Sequence, residues 1–330
     1  MHVFRGDVHL SEQMRHAVVA IGNFDGVHRG HQALLSIAGK DAAAARAPFG
    51  VLTFEPHPRL FFRPGQPMFR LTPPSLKERL LAAAGAHFQL TLEFNRALAN
   101  LEARDFVRNI LVERLGVSRV VTGYDFHFGH GRKGNPELMR RLGEEYGFAV
   151  SPVDQVTDDE GLAPFSSTAI RDDLRHGRVT EAANALGYWW MLTGAVVAGD
   201  GRGRTLGFPT ANMLLDPGVE LLEGIYAVQI TVSGRRHHGA AYIGTRPTFA
   251  SGRRFLEVFI FDFDRGIYGE TMDVQFMTFI RPDMKFTTPE ALVLQMRTDC
   301  DAAATALRAI EANDPMKRFP LGALQAEGRI

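Results

Sequence analysis

The sequence predicts an α/β protein in two parts, a parallel-sheet domain followed by a small β domain closed by a long terminal helix. Three observations carry that expectation. Apolar strand-like runs alternate with amphipathic helical segments through the first half. After about residue 186 the rhythm changes to short strands divided by Gly, Pro and charged turns. In that second half only TPEALVLQMRTDCDAAATALRAIEAN reads as a long helix.

Taken in order, HAVVAIG is a short apolar strand ending in glycine, and HQALLSIAGKDAAAARA after it has helical spacing. FGVLTF is the next strand, and SLKERLLAAAG, AHFQLTLEF, ARDFVRNILVERLG, SRVVTG, PELMRRLGEEYG and FAVSPVDQV continue the alternation. Strands separated by helical crossovers imply a mainly parallel sheet. Ligands bind such sheets outside the carboxyl ends of the strands. The loops in GNFDGVHRGH, LTFEPHPRLFF and GYDFHFGHGRKGN all follow predicted strands, so they are expected to converge on one crevice. Beyond them MLTGAVVAG, GIYAVQITVSG, HHGAAYIG, RFLEVFIFDFD and MDVQFMTFI suit a small barrel or sandwich. Thr288 before Pro289 marks an N-cap with proline at the first helical position. The boundary is expected near EAANALGYWW, dividing the chain into 1–184 and 185–330, and the tail PMKRFPLGALQAEGRI is expected to be a loose extension.

A chain of 330 residues is long enough for two domains of about 150. With 37 basic and 37 acidic side chains the formal charge is +0, which argues against a general nucleic-acid binder. The single cysteine, Cys300, excludes an intrachain disulfide and suits a reducing cytoplasm. The opening MHVFRGDVHLSEQMRH has no apolar run fit for a signal peptide, and no stretch is long and apolar enough to span a bilayer. A cytoplasmic protein with no membrane partner is expected.

IGNFDGVHRGHQALL raises the chemical question, because it places His28 and His31 at the start of a helix just after a glycine turn. Zinc ligation needs further Cys, His or carboxylate partners, and none stands nearby at a recognisable interval. Two readings remain: histidines that cap and pack a helix start, or histidines that meet a phosphate. The second draws on the free N–H groups and dipole of a helix N-terminus, which attract anions. Gly129, Gly131 and Gly134 formally satisfy G-x-G-x-x-G, but they follow a late strand and YDFHF, so they do not predict a dinucleotide site. In the same loop Asp125 could bind a ribose or a phosphate-side group, while Phe126 and Phe128 suit a core better than a stacking platform. FSSTAIRDDLRHG sets Ser166, Ser167 and Thr168 before an amphipathic helix with Arg171, either an ordinary cap or a triphosphate grip. In GRTLGFPTAN an extended backbone puts Thr210 and Asn212 on one side, two hard oxygens suited to magnesium or else incidental turn polarity. Glu257 interrupts the apolar RFLEVFIFDFD, where a carboxylate must either find a partner or face water.

GNFDGVHRGH resembles the H-x-G-H signature of the nucleotidylyltransferase superfamily, and its full form resembles the bacterial bifunctional riboflavin kinase/FAD synthetase family. LTFEPHP, GYDFHFGHGRKGN and FSSTAIR match that family's further N-terminal blocks. GRTLGFPTAN, GIYAV, IGTRPTF and LEVFIFDFDRGIYGE match its flavokinase blocks, all in order over roughly residues 17 to 310. The resemblance implies an N-terminal nucleotidylyltransferase-type domain that joins AMP from ATP to FMN. It implies a C-terminal β-barrel flavokinase that phosphorylates riboflavin with ATP and Mg²⁺. It implies nucleotide contacts at Gly22, Phe24, Asp25, Gly30, Asp125, Ser166, Ser167, Thr168, Arg171, Gly203 and Gly207, with His28 and His31 facing ATP phosphates. It further implies flavin contacts at Phe208, Gly224, Tyr226 and Arg281, a magnesium pair at Thr210 and Asn212, and a general base at Glu257. Three positions depart from the family's pattern. Tyr242 stands where many relatives carry asparagine, Phe259 where histidine is frequent, and RGIYGE where an acidic-leucine form is commoner. These bear on fine flavin and nucleotide contacts and leave the magnesium pair and the base in place. A flavin-binding protein without turnover is the alternative, and such a binder has no need of Glu257.

Overall fold

A computed structural model describes the chain apart from Asp7 and residues 158–160, 162–163, 200–202, 204–205 and 246–253. Parts of two quoted motifs, residues 204–205 of GRTLGFPTAN and 246–249 of IGTRPTF, thus lie outside the described residues. The chain divides into two compact units, Met1–Met68 with Thr72–Ser166, and Phe69–Leu71 with Ser167–Ile330.

In the first unit β1 (His2–Arg5), β2 (Val18–Ile21), β3 (Phe49–Glu55), β4 (Phe88–Glu93), β5 (Arg119–Gly123) and β6 (Ala149–Val153) form one sheet. Its order is β1-β4-β3-β2-β5-β6 and every pair is parallel. All four residues of β2 are buried, as a strand covered on both faces requires. The helix Arg29–Ala45 follows and buries Leu34, Leu35, Ala38 and Ala42 along one stripe. The chain steps from β2 to β3 and β4 on one side, then crosses to β5 and β6 on the other. The order therefore reverses between β2 and β5, the kind of position where open α/β sheets bind ligands. Because β3, β2 and β5 are parallel neighbours, the three loops singled out in the sequence leave the sheet at the same edge. The glycines of GHGRKGN shape a turn instead: Phe128 pairs with Gly134 across it and packs into the core. Phe126 stacks on Phe128 at 5.6 Å, so both aromatics belong to packing.

In the second unit β7 (Met191–Ala195), β8 (Thr210–Leu214), β9 (Gly224–Val232), β10 (Arg235–Thr245), β11 (Arg254–Ile260) and β12 (Thr271–Pro282) pair antiparallel in the order β7-β12-β9-β10-β11-β8. Val197 N–H donates to Asn212 O at 2.8 Å, drawing the two end strands together, so the sheet is a nearly closed barrel and not a sandwich. Tyr226, Val228, Ile230, Leu256, Val258 and Val274, none of them exposed, fill one face of the strands. The alternate face carries Ala227, Ala240 and Met277, which meet Ala303 and Leu307 of the helix Pro289–Ala312. Thr288 caps that helix by accepting from Ala291 N–H at 3.2 Å, as its sequence position predicts. No helix among the described residues is long and apolar enough to cross a membrane.

The tail is not a loose extension. Pro315–Arg318 forms a 3₁₀ turn and Pro320–Ala326 a helix, with Met316 and Leu321 buried. The reason is a backbone deficit: Trp189 lies just before β7, and its main chain is satisfied from the tail. Gln325 accepts from Trp189 N–H at 2.8 Å and donates to Trp189 O at 2.9 Å, while the Trp189 indole N–H donates to Asp314 at 3.1 Å. Composition hid this, because the anchor is one glutamine in a polar, Pro- and Gly-containing stretch. Gln325→Ala should strand both backbone groups and lower the stability of the second unit by about 1–3 kcal/mol, measured as a fall in urea midpoint at unchanged m.

Candidate active sites

Beyond Ile21 the chain of the first unit turns sharply before entering the helix Arg29–Ala45. Phe24 and Val27 take φ values of 49° and 40° there, a conformation that strains a β-branched valine. Side chains hold the turn in place. Asp25 accepts from Thr72 N–H at 3.0 Å and Thr72 Oγ1 at 3.3 Å, and Gly26 N–H donates to Thr72 Oγ1 at 3.0 Å. Lys77, 3% exposed, donates from Nζ to Asn23 O at 2.8 Å.

His28 is the N-cap of the helix, its Nδ1 accepting from His31 N–H at 3.3 Å. The two imidazoles stack with centroids 3.7 Å apart and planes 21° apart. A Cβ on Gly30 would sit 3.2 Å from the His28 ring, which explains the glycine between the histidines. The capping and phosphate readings are therefore compatible, because a His28 whose Nδ1 caps the helix carries its proton on Nε2. Burial chiefly, with smaller contributions from the neighbouring His28 and the Lys77 ammonium, holds the His31 imidazole well below its usual pKa, so it is neutral at physiological pH. Among the described residues, His31 Nδ1, Asn23 Oδ1 and Thr122 Oγ1, together with Gln89 Oε1 on β4, are buried side-chain atoms without a hydrogen-bond partner. Asn23 follows β2 and Thr122 lies near the end of β5, the strands flanking the order reversal. Buried polar atoms are normally satisfied, so the atoms of His31, Asn23 and Thr122 are what a polar ligand would complete.

The other implied nucleotide contacts take varied places. Gly22 N–H bonds Leu52 O at 3.1 Å, and the fully buried Phe24 ring supports His31 at 5.2 Å. Asp25 is buried as the brace of the turn, whereas Asp125 is exposed in the loop after β5. Ser166 closes the first unit, while Ser167, Thr168 and Arg171 lie in the second unit's helix Ser167–Arg175. Arg171 is 5% exposed and donates from Nε to Phe69 O at 2.6 Å.

The second unit builds its site by strand register. Glu257 of β11 lies opposite Asn212 of β8 on one side and Tyr242 of β10 on the other, and Phe259 lies opposite Thr210. Residues opposite each other in an antiparallel pair share a face, so all five sit on the outer face of the barrel. Asn212 Nδ2 donates to Thr210 O at 3.2 Å, leaving Oδ1 as the oxygen to offer a cation beside Thr210 Oγ1. A Cβ on Gly199 would overlap the Asn212 amide, so glycine there opens the space around it. Among the described residues no cluster of three or more His, Cys, Asp or Glu could hold a metal ion. Hydroxyl and amide oxygens suit magnesium, which leans on phosphates and waters for the rest of its shell. Gly203 O accepts from Phe208 N–H at 2.8 Å, Gly207 occupies the turn before Phe208, and the Phe208 ring meets Phe259 at 5.1 Å. Phe259 thus packs against Phe208.

Gly224 opens β9 beside Arg281 O, but Tyr226 and Arg281 are engaged elsewhere. The Tyr226 ring is fully buried inside the barrel and its hydroxyl donates to Leu222 O at 2.6 Å. Arg281 grips Asp299 through two hydrogen bonds of 2.8 and 2.7 Å and so ties β12 to the terminal helix. Tyr226 and Arg281 are thus each held by protein partners.

Two family models match the chain, FAD synthetase over residues 10–169 and riboflavin kinase over residues 186–307. The bifunctional riboflavin kinase/FMN adenylyltransferase of Escherichia coli (strain K12) is 38% identical over 301 residues, covering 91% of this chain and 96% of that protein. The enzyme of the same name from Pseudomonas fluorescens is 38% identical over 316 residues, 95% of this chain and 100% of that one. This chain belongs to the bifunctional riboflavin kinase/FMN adenylyltransferase family. It phosphorylates riboflavin to FMN with ATP, then transfers AMP from ATP to FMN, giving FAD and pyrophosphate. ATP and a divalent metal are used, and flavins are substrates and products. A solved structure from Streptococcus pneumoniae, described as a macrolide-efflux protein, has the same fold with a TM-score of 0.81 and 32% identity, covering 91% of this chain and 97% of that one. The efflux description is of that protein.

Reading of the sequence missed Lys77, Asn23 and Thr122 at the adenylyltransferase end. Lys77 carried a signal, since it lies among Leu76, Leu80 and Leu81 on the buried stripe of its helix. Asn23 and Thr122 carried none. The neutral His31 gives a pH dependence: the unfolded chain binds a proton that the native state refuses. Stability from this group is full above about pH 6.5 and is lost as pH falls toward the lower native pKa. The urea midpoint of the first unit should fall between about pH 7 and about pH 5, and His31→Gln should flatten that fall.

Proposed function

We propose that the two activities divide along the chain, adenylylation by residues 1–184 and riboflavin phosphorylation by residues 185–330, and that each uses the site described above. The observation that carries the kinase assignment is the register placing Glu257 beside Asn212 and next to the row of Thr210. Glu257 takes the proton of the riboflavin 5′-hydroxyl as that oxygen bonds the γ-phosphorus and ADP departs. Thr210 and Asn212 hold Mg²⁺, which when bound neutralises phosphate charge. Gly203 and Gly207 contact the nucleotide, and Phe208, Gly224, Tyr226 and Arg281 contact the flavin. The reducing cytoplasm is the compartment that best suits the lone Cys300.

At the adenylyltransferase site no protein nucleophile is needed. An FMN phosphate oxygen bonds the α-phosphorus of ATP as the bond to pyrophosphate breaks. His28 and His31 donate ring N–H groups to the phosphate oxygens, with the helix N-terminus behind them. Gly22, Phe24 and Asp25 shape the turn, Gly30 leaves room for the His28 ring, and Asp125 contacts the ribose side. Ser166, Ser167, Thr168 and Arg171 serve the triphosphate.

Product analysis of two variants tests both halves. Given riboflavin, ATP and Mg²⁺, Glu257→Gln should lose about 10²–10⁴-fold in FMN formation yet still make FAD from supplied FMN. His28→Ala should do the opposite, accumulating FMN without FAD. Wild-type turnover in either folded variant removes that residue from its role.

A further inference from the structure

A cavity of about 270 Å³ lies in the second unit between the barrel wall and the docked tail. Neither Glu257 nor the Thr210–Asn212 pair lines it. Its floor is a row of side chains on three neighbouring strands, in which Gln229 of β9 sits opposite His238 of β10 and Gln275 of β12. Gln275 is 4% exposed, and no described residue hydrogen-bonds the side-chain amide of Gln275 or Gln229. Gln229 is half-buried, and the two amides stand side by side facing the cavity with donors and acceptors that no described residue uses.

The rest of the cavity is built and held. Trp189, Met277, Leu307 and Ile310 supply apolar walls. Arg236 fastens the roof by donating to Gln325 O and Ala326 O, and the Trp189 indole is fixed by Asp314. Charges in the lining balance, Arg236 and Lys317 against Glu311 and Asp314, so neither an anion nor a cation is singled out. The riboflavin kinase model ends at residue 307, whereas the wall from Ile310 to Ala326 lies beyond it.

We propose that this cavity binds a neutral planar ring with an amide-like edge, the chemistry shared by the flavin ring and the nucleobases. Each glutamine offers a donor and an acceptor side by side, which matches a ring N–H next to a carbonyl or ring nitrogen. Neighbouring strands are about 4.8 Å apart, so the pair spans one ring edge. The apolar walls cover the ring faces, and the volume takes one ring system with little beyond it.

Calorimetric titration of the full-length protein tests the site with two probes, lumichrome (a flavin ring without its side chain) and adenine. Lumichrome, adenine or both should bind wild type with an affinity that Gln275→Leu weakens by about tenfold or more, a loss of about 1.4 kcal/mol. Riboflavin phosphorylation should keep its kcat and KM in that variant. Binding of lumichrome alone assigns a flavin source, and of adenine alone a nucleotide source. Gln229→Leu gives the same readout if the first variant fails to fold. Titrations of both probes that a folded variant leaves unchanged overturn the proposal.

Discussion

The register between β8 and β11 is the constraint on which the kinase end of this molecule depends. It sets Asn212 beside Glu257 and Thr210 beside Phe259, and β10 repeats it on the other side with seven matched pairs. A slip of one residue would turn Glu257 into the barrel and Val258 out of it. That exchange buries a carboxylate among apolar side chains and exposes a buried valine, so both costs act in the same direction. Packing that looks remote from the chemistry, such as Leu256 and Val258 against the barrel interior, is therefore what keeps the chemical groups in line.

The adenylyltransferase end reaches its geometry by a different device. There a strained turn is held from outside by Thr72 and Lys77, and its product is a pair of stacked imidazoles at a helix start. Val27 is strained in that turn, and Asn23, His31 and Thr122 each hold a buried polar atom with no partner among the described residues. Strain and unmet polarity cluster where a ligand would relieve them. Lys77 acts doubly, fastening Asn23 and adding to the burial that chiefly keeps His31 neutral.

Much of the fold and of the candidate sites was legible. Apolar runs between helical stripes foretold the parallel sheet, and Thr288–Pro289 foretold where the terminal helix begins. The motifs named His28, His31, Thr210, Asn212 and Glu257, and the structure sets the two histidines together at a helix start and the other three on one face of the barrel. What was not legible turned on long-range partners. The Asp299 carboxylate that grips Arg281 and the barrel that closes over Tyr226 are not written in the motifs that hold those two residues.

By itself the sequence determined the local things: which segments are strands and helices, where they start, and which short runs carry chemistry. Those follow from backbone preferences and from the spacing of apolar side chains, both of which act within a few residues. Only the tertiary structure decided that the sheet of the second unit closes as a barrel and that the tail docks through Gln325. It alone decided that Lys77 lies buried beside His31 and that two glutamines from different strands share one cavity wall. Each of these joins groups far apart along the chain, and the energy that joins them exists only once both partners have left water.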